Sequence, residues 1–240
     1  MSTVAIIPAR GGSKGIPRKN VMDFCGHPLI AWTIAAASGC RAIGGVYVST
    51  DSDEIAAVAR RYGADVIERP AEISGDRATS ESALLHARGE IARRTACQPD
   101  RVVFLQATSP LRESAELDGA LAKFEAENLD SLFAASQPED MLFWTRSGDH
   151  LRSVNYDYTS RQRRQEMAGD AGLLIETGSF YITRTSLLDR TQNRLGGRMG
   201  IWPVAFWKSF EIDSLAGHEL CAMLMRQHQL DRHPPVAKPQ

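Results

Sequence analysis

Short apolar runs alternate with longer segments of helical periodicity along the first 135 residues. The runs predict five buried strands, at Val4–Ile7, Gly45–Val48, Asp65–Ile67, Val102–Leu105 and Ser131–Ala135. The intervening segments predict four helices, at Pro28–Ala37, from Asp53 to Tyr62, at Ser80–Arg94 and at Ser114–Glu127. This order favours an α/β fold of the Rossmann-like, three-layer α/β/α kind with a mostly parallel sheet. Residues that follow strands one, two and four would then meet in one crevice.

The alternation ends after Ala135, and residues 136–175 are polar and irregular apart from isolated aromatic side chains. A structureless segment of this length is unusual inside a compact domain. We therefore predict a single domain over residues 1–232, from which residues 136–175 protrude as a small, partly β arm that packs on a second subunit.

Regular patterns return in the C-terminal third of the chain. Gly178–Thr183 and Gly200–Val204 predict two further strands, and Leu215–Leu230 predicts a closing helix. Residues 233–240 contain three prolines and are expected to form a disordered tail. Four apolar side chains of the closing helix are expected in the core: Leu220, Met223, Leu224 and Leu230.

The loop after the first strand carries three glycines and four cations between Pro8 and Asn20. Glycine lets backbone N–H groups approach a phosphate closely, and the cations supply the charge that a polyphosphate requires. Neither the P-loop spacing nor G-x-G-x-x-G fits this loop, so it predicts a nucleoside triphosphate site of another kind. The loop residues expected to bind the nucleotide are Ala9, Arg10, Gly11, Gly12, Ser13 and Lys14.

Three of the loop cations are the candidate catalytic residues: Arg10, Lys14 and Lys19. Arginine can fork onto two phosphate oxygens and lysine acts as a point charge, so the mixture suits a flexible triphosphate. Arg18 is explained equally well as a solvated surface charge.

Glu211 and Asp213 are the candidate metal ligands, and Asp213 is also a candidate catalytic residue. Alternate residues of a strand face the same side, so the two carboxylates could reach one Mg²⁺ or Mn²⁺ ion. The alternative is that Asp213 or Ser214 caps the helix that begins near Leu215.

Gln106 is the candidate acceptor-binding residue, because it follows a buried strand where the crevice would open. Its amide could hydrogen-bond to the hydroxyl or carboxylate groups of a sugar acid. The alternative is a turn amide that bonds to the local backbone.

Composition narrows the class of protein and its location. The net charge of −1 over 240 residues creates no global field for nucleic acid. The four cysteines lack C-x-x-C or zinc spacing, which indicates reduced thiols and a cytoplasmic protein. No apolar run approaches the ~20 residues of a membrane span, and the chain enters its first strand too soon for a signal peptide. We therefore expect neither a nucleic-acid nor a membrane partner.

Six stretches of the chain match the motifs of a known family in order, from about residue 4 to residue 220. The first runs from Ile7 to Asn20 and fits I-P-A-R-x-x-S-K-G-[IL]-x-x-K-N at every fixed position. The others are Val48–Asp51, Arg69–Pro70 with Asp76 and Thr79–Ser80, Leu105–Arg112, Glu176–Ile182 and Phe210–Asp213. The chain thus resembles the acylneuraminate cytidylyltransferases, also called CMP-sialic acid synthetases.

The resemblance implies a nucleotide-diphospho-sugar transferase-like fold and a homodimer held by the inserted arm. It also implies that CMP is transferred from CTP to a sialic-acid-like keto sugar with release of pyrophosphate. By the same resemblance, Asn20, Arg69, Thr79 and Ser80 would contact the nucleotide, and Gln106, Glu176, Ser179 and Tyr181 would contact the acceptor. The family mostly has Asp where this chain has Glu211, whose side chain is longer by one methylene.

Other acceptors and one other class of protein fit the same motifs. The acceptor could be legionaminate, pseudaminate, KDN, or an eight-carbon acid of the Kdo or 8-amino-Kdo type. A non-catalytic protein that binds nucleotide sugars is the more distant alternative.

Overall fold

The computed structural model describes residues 2–12, 15–138, 141–161, 163 and 172–239. Its strands are β1 Thr3–Pro8, β2 Asp23–Phe24, β3 His27–Pro28, β4 Gly45–Thr50, β5 Asp65–Glu68, β6 Arg101–Leu105, β7 Ser131–Ser136, β8 Trp144–Ser147, β9 His150–Ser153, β10 Ile175–Arg184 and β11 Met199–Pro203. Its α-helices are α1 Leu29–Ser38, α2 Asp53–Arg61, α3 Ser80–Thr95, α4 Ser114–Ala126, α5 Thr185–Thr191 and α6 Leu215–Gln227. Each of the five strands and four helices expected before residue 136 is present, with ends shifted by one or two residues.

Seven strands form the central sheet in the order β11-β7-β10-β6-β1-β4-β5. Neighbouring strands are parallel except β10, which is antiparallel to both β6 and β7. The mostly parallel α/β fold is therefore confirmed. The parallel strands β1, β4 and β6 end at the same edge of the sheet, where a ligand crevice forms in such folds.

Alternate residues of the strands enter two separate apolar clusters, one on each face of the sheet. Phe180 and Ile182 belong to the larger cluster beside α1, α2 and α4, whereas Tyr181 belongs to the cluster beside α3. A third cluster joins Phe24 and Trp32 to the inner side of α6. The third cluster explains why α1 is apolar on nearly all sides: it packs on the sheet and on α6 at once.

The last helix differs from the expectation. Met223 is 65% exposed and Leu220 is 36% exposed, while Leu224 and Leu230 are only partly buried. The buried side chains of α6 are Cys221, Ala222 and Met225. The face of α6 that joins the cluster of Phe24 and Trp32 is therefore one helical turn of Cys221, Ala222 and Met225, and the larger apolar residues Leu220 and Met223 lie off this face.

Residues 233–239 lie against the domain instead of forming the expected disordered tail. The backbone N–H of Lys238 donates to the carbonyl of Arg61 at 2.8 Å, and Pro235 is buried. The prolines prevent helix formation, but they also stiffen an extended segment and so reduce the entropy lost on docking.

The inserted segment contains a two-stranded hairpin, β8 and β9, which pairs with no other strand in the described ranges. Trp144 packs against Tyr156 and Tyr158, with ring centroids 5.8 and 5.3 Å away. Phe143, Leu151, Val154 and Tyr158 are all more than half exposed. The dimer contact itself stays a prediction, and residues 139, 140, 162 and 164–171 of the segment lie outside the described residues.

No helix in the described part of the chain is long and apolar enough to cross a membrane. Cys25, Cys40, Cys97 and Cys221 all lie in described ranges, and none of them forms a disulfide.

Candidate active site

A cavity of about 310 Å³ opens where β1 and β6 end. Five of the predicted site residues with functional side chains line it: Arg10, Lys19, Asn20, Ser80 and Gln106. Ala9, Gly15 and Phe104 complete part of its wall. The ends of parallel strands bring together residues that are up to 96 positions apart in the sequence.

A second, larger cavity of about 740 Å³ lies between α1, α4, the end of α6 and the C-terminal segment. None of the predicted site residues lines it. We assign the smaller cavity as the candidate active site because the cations, the amide and the glycine-rich loop converge there.

The first loop is held by the neighbouring strand β4 and the residues after it. The N–H of Ala9 donates to the carbonyl of Ser49, and the N–H of Gly11 donates to Asp51 Oδ1, both at 2.9 Å. Arg10 donates through Nη1 to the carbonyl of Gly75 and to Asp76 Oδ1, both at 3.1 Å. Arg10 thus faces the cavity in a fixed orientation. Gly12 is exposed, and Ser13 and Lys14 lie outside the described residues.

The 3₁₀ turn Lys19–Val21 places the next two candidates. Asn20 is buried and donates through Nδ2 to the carbonyl of Arg10 at 3.2 Å. Lys19 Nζ lies 2.8 Å from Asp213 Oδ1, which links the first loop to the carboxylates. Arg18 has a left-handed backbone and pairs with Glu54, with its side chain 73% exposed. This geometry agrees with the solvated-charge alternative for Arg18.

Glu211 and Asp213 do not lie in a strand, so that part of the prediction is wrong. They belong to an irregular segment after the 3₁₀ turn Phe206–Ser209, on either side of the buried Ile212. The N–H of Ile212 donates to the carbonyl of Thr108 at 2.9 Å. Anchoring of the buried Ile212 therefore leaves its two acidic neighbours facing away from the core, and this alternation of buried and more exposed side chains resembles that of a strand.

The environments of the two carboxylates differ. A Cβ on Gly178, whose φ is +65°, would overlap the Glu211 carboxylate and lie 3.1 Å from Gln106 Nε2, so all three residues meet closely. Burial, followed by the negative charge of Asp213, raises the pKa of Glu211. Asp213 is exposed and does not cap α6, because Ser214 Oγ accepts from the Gly217 N–H at 3.1 Å.

The donor set fits Mg²⁺ or Mn²⁺ held jointly with a nucleotide. No group of three or more His, Cys, Asp or Glu side chains in the described ranges could enclose a metal ion. Mg²⁺ is commonly held by one or two carboxylates together with substrate phosphates and water. A half-buried Glu211 beside a like charge is the kind of pair that a divalent cation stabilises.

Arg112 organises the turn behind Gln106. It is buried and donates through Nη2 to the carbonyls of Gln106 and Ser109, both at 2.6 Å, and through Nε to Ser179 Oγ at 3.2 Å. Burial lowers the pKa of its guanidinium to about 9, so it remains charged at neutral pH. Arg112 therefore fixes the backbone of Gln106, while the Gln106 amide faces the cavity and receives a contact from Thr108 Oγ1 at 3.4 Å.

Three of the acceptor residues implied by the resemblance, Glu176, Ser179 and Tyr181, lie on β10, outside the cavity lining. Tyr181 is buried, stacks on Phe104 at 5.3 Å and donates from its hydroxyl to Glu176 Oε1. Burial, and then the bond to Glu176, raise the pKa of Tyr181. The hydroxyl of Ser179 already accepts a hydrogen bond from Arg112 Nε. These residues back the cavity through Phe104, and their contact with an acceptor stays a prediction.

Arg194 was not among the predicted site residues, because no motif marks it. Its guanidinium lies 4.4 Å from the Tyr181 ring centroid and 5.5 Å from that of Phe104. It pairs with Glu81 and lies 3.6 Å from Glu176 Oε1. A cation above two rings and between two acids stabilises this wall of the site.

Of Arg69, Thr79 and Ser80, which the resemblance implies contact the nucleotide, only Ser80 lines the cavity. Arg69 is buried and donates to Ser49, through Nε to Oγ at 3.1 Å and through Nη2 to the carbonyl at 2.5 Å. Ser80 lines the cavity, but Thr79 Oγ1 accepts from the N–H of Ser82 at 3.1 Å and caps α3. Thr79 therefore has a structural function at this helix terminus.

The fold and the site define an α/β protein with a cationic loop, an amide and two carboxylates around one crevice. A family model described as Cytidylyltransferase matches residues 4–165. The chain belongs to the cytidylyltransferase family, as the motifs led us to expect.

Proteins of similar sequence carry the names of cytidylyltransferases. The chain is 36% identical over 189 residues to N-acylneuraminate cytidylyltransferase A of Danio rerio, covering 78% of this chain and 42% of that protein. It is 41% identical over 185 residues to a pseudaminic acid cytidylyltransferase of Campylobacter jejuni, covering 75% and 78%. The chain spans about half the length of the N-acylneuraminate relatives it matches.

A solved CMP:2-keto-3-deoxy-manno-octonic acid synthetase complexed with CTP has a similar fold. The TM-score is 0.68 at 18% identity, covering 95% of this chain and 100% of that one. A 4-diphosphocytidyl-2C-methyl-D-erythritol synthase gives a TM-score of 0.69 at 12% identity, covering 93% and 98%. At these identities the likeness concerns the fold alone.

Proposed function

We propose that the protein transfers CMP from CTP to a sialic-acid-like nonulosonic sugar and releases pyrophosphate. The observation that carries this proposal is the convergence of Arg10, Lys19, Asn20 and Gln106 on one cavity bordered by Asp213. Relatives named as N-acylneuraminate and pseudaminic acid cytidylyltransferases support the choice of nucleotide and acceptor.

In the proposed reaction the anomeric hydroxyl of the sugar attacks the α-phosphorus of CTP. The new bond joins the anomeric oxygen to phosphorus, the bond to the β-phosphate oxygen breaks, and the hydroxyl proton leaves to solvent. Arg10 and Lys19 hold the phosphates and stabilise the charge on pyrophosphate, and Gln106 orients the acceptor. Positioning and electrostatics provide most of the acceleration, since no covalent intermediate is required.

We propose that Glu211 and Asp213 hold Mg²⁺ or Mn²⁺ together with the nucleotide. The metal, when bound, neutralises charge on the phosphate oxygens. Lys19 has a second function here, because its ion pair holds the Asp213 carboxylate beside the phosphate-binding loop.

We also propose a cytoplasmic homodimer. The aromatic side chains of the hairpin around Trp144 are exposed in the single chain, and burial against a second copy would remove them from water. Unpaired cysteines suit a reducing compartment. Light scattering on the purified protein should give twice the mass of the chain, and Trp144→Ala should shift it toward the monomer.

The central experiment measures pyrophosphate release from CTP with a panel of acceptors. The panel contains N-acetylneuraminate, pseudaminate, legionaminate, KDN, Kdo and 8-amino-Kdo. We expect release with a nine-carbon acid in the presence of Mg²⁺. CTP binding without release for any acceptor would contradict the proposal and favour a binding protein.

Variants of the first loop and the carboxylate pair test the assignment of residues. Arg10→Ala and Asp213→Ala should each abolish turnover while the far-ultraviolet circular dichroism stays unchanged. Arg18→Ala is the matched control, because it removes a cation of the same loop that pairs with Glu54 at the surface. Near-normal turnover by Asp213→Ala at limiting Mg²⁺ would contradict the metal assignment.

A further inference from the structure

Lys208 is a buried cation that no motif marks, three residues before Glu211. Its Nζ lies 2.6 Å from Glu113 Oε2 and 2.8 Å from Glu116 Oε1. It also lies 5.2 Å from the ring centroid of Trp207. Only 7% of its side chain is exposed, so it is not a solvated surface charge.

Both carboxylates that Lys208 contacts belong to the first turn of α4. Glu113 is the N-cap residue, and its N–H donates to Glu116 Oε2 at 3.0 Å in a capping box. Negative charge is favourable at a helix N-terminus. Lys208 therefore ties the segment before Glu211 to a rigid helix end that is already organised without it.

The segment from Phe210 to Asp213 needs such a tie, because it lies in no helix or strand. Its backbone is anchored through the bond from Ile212 to Thr108. The like charges of Glu211 and Asp213 repel one another, which favours a wider arrangement before a cation binds. Because Lys208 is held in place three residues before Glu211, it opposes this separation of the two carboxylates.

Charges of alternating sign run from Lys208 toward the site. Lys208 contacts Glu116, and the negative charges of Glu116 and Glu211 both oppose the lowering of the pKa of Arg112 that its burial causes. Arg112 in turn holds the backbone of Gln106. Removing the charge of Lys208 would leave Glu116 without its cation and would alter the charge balance around Arg112.

We propose that Lys208 is a positioning residue for the Glu211 and Asp213 pair, holding it at the spacing that a divalent cation with CTP requires. This inference rests on the proposed function, because it assumes that the pair binds a metal with the nucleotide. Lys208 itself does not line the candidate active site.

The test compares Lys208→Met with Lys208→Arg and with Lys123→Met. The first variant keeps an unbranched side chain, one heavy atom shorter, but removes the charge, and the second keeps the charge. The third is a matched control, since Lys123 pairs with Glu127 on the same helix, away from the site. Calorimetry and electron paramagnetic resonance measure Mn²⁺ binding to the CTP complex, and Mg²⁺ titration of turnover gives the activity.

We expect Lys208→Met to weaken Mn²⁺ binding about 10-fold, the lower end of the range for residues that support metal ligands. CTP binding without metal should stay within ~2-fold, saturating Mg²⁺ should restore much of the turnover, and Lys208→Arg should recover most of the Mn²⁺ affinity. Lys123→Met should match the wild type. Unchanged Mn²⁺ affinity in Lys208→Met, or a loss of CTP and Mn²⁺ binding in the same proportion, would overturn the inference.

A second variant decides the matter if Lys208→Met does not fold. Glu116→Gln keeps an oxygen that can accept from the Glu113 N–H but removes the charge that Lys208 contacts. It should weaken Mn²⁺ binding in the same direction, and wild-type affinity would overturn the inference. If the wild type itself binds no Mn²⁺ with CTP, the proposed function fails and this inference fails with it.

Discussion

Gly178 combines a left-handed backbone with the close approach of two site side chains. Its φ is +65°, and a Cβ would overlap the Glu211 carboxylate and press on the Gln106 amide at 3.1 Å. A residue with a side chain would therefore be strained by its backbone and would also displace the candidate metal ligand.

We predict that Gly178→Ala lowers the free energy of unfolding by about 1–3 kcal/mol. It should lower turnover at limiting Mg²⁺ by more than this loss of stability explains, because Glu211 must move. Urea denaturation and a Mg²⁺ titration measure the two effects. Gly89→Ala is the control: its Cβ would meet nothing within 4 Å on an exposed position of α3, so stability should be kept or slightly increased.

The raised pKa of Glu211 predicts that the free energy of unfolding depends on pH. Its pKa is raised in the folded protein, chiefly by burial, so folding disfavours the ionised form. The wild type therefore loses stability as the pH rises from the ordinary glutamate pKa through the raised value. Glu211→Gln cannot ionise and is exempt from this loss.

In metal-free buffer, Glu211→Gln should have about the same melting temperature as the wild type near pH 4. It should melt higher than the wild type at pH 7 to 8, while its Mn²⁺ binding is weakened. A difference between the two proteins that stays constant across this range would show that Glu211 has an ordinary pKa.

At the scale of elements, periodicity predicted the first four helices well and their termini less well. Ser52 Oγ accepts from the Ile55 N–H at 3.4 Å and caps α2, whose first residue is the neighbouring polar Asp53. Adjacent polar residues compete for a cap, and the sequence alone does not decide between them. The segment Phe210–Asp213 was misjudged for a related reason, because a single buried Ile212 imitates the period of a strand.

Thr79 lies at the N-terminus of α3, and its hydroxyl has two possible functions: capping the helix or contacting the nucleotide. Its hydroxyl caps α3 in the structure, whereas the family resemblance implied contact with the nucleotide. We predict that Thr79→Ala costs about 1 kcal/mol of stability and leaves the KM for CTP unchanged. Thr79→Ser should restore stability, since serine retains the accepting oxygen. A KM for CTP that rises severalfold in Thr79→Ala, with normal stability, would favour nucleotide contact.

At the scale of the molecule, the sequence predicted the part of the site that follows from parallel strands. Arg10 and Gln106 meet because both follow strands that end at one edge of the sheet. The contacts of Lys208 and Arg194 were not predicted, because their acidic partners Glu113 and Glu81 are remote in the sequence and no local pattern marks them. Arg112 combines the nearby carbonyls of Gln106 and Ser109 with the remote Ser179 hydroxyl, and only the fold brings the last of these to it. The positions of β10 residues followed from packing: Tyr181 stacks on Phe104, so its ring is a wall of the core.

The C-terminal segment offers a test of how far the domain extends. Residues 233–236 line one side of the larger cavity together with Trp32 and Tyr62, and Pro235 is buried. Further along the segment, the backbone N–H of Lys238 donates to the carbonyl of Arg61. Deleting residues 233–240 would expose this apolar surface and remove the backbone hydrogen bond.

We therefore predict that the deletion lowers the melting temperature by about 2–4 °C, the shift expected for 1 kcal/mol in a domain of this size. CTP binding should not change, because the segment does not line the candidate active site. Lys238→Ala keeps the backbone N–H that bonds to Arg61 and should melt close to the wild type. Calorimetry compares the melting temperature of the truncated protein with that of the wild type. Equal melting temperatures would show that docking of the segment contributes nothing to folding and that the domain ends near Arg232, as the prolines of the segment first led us to expect.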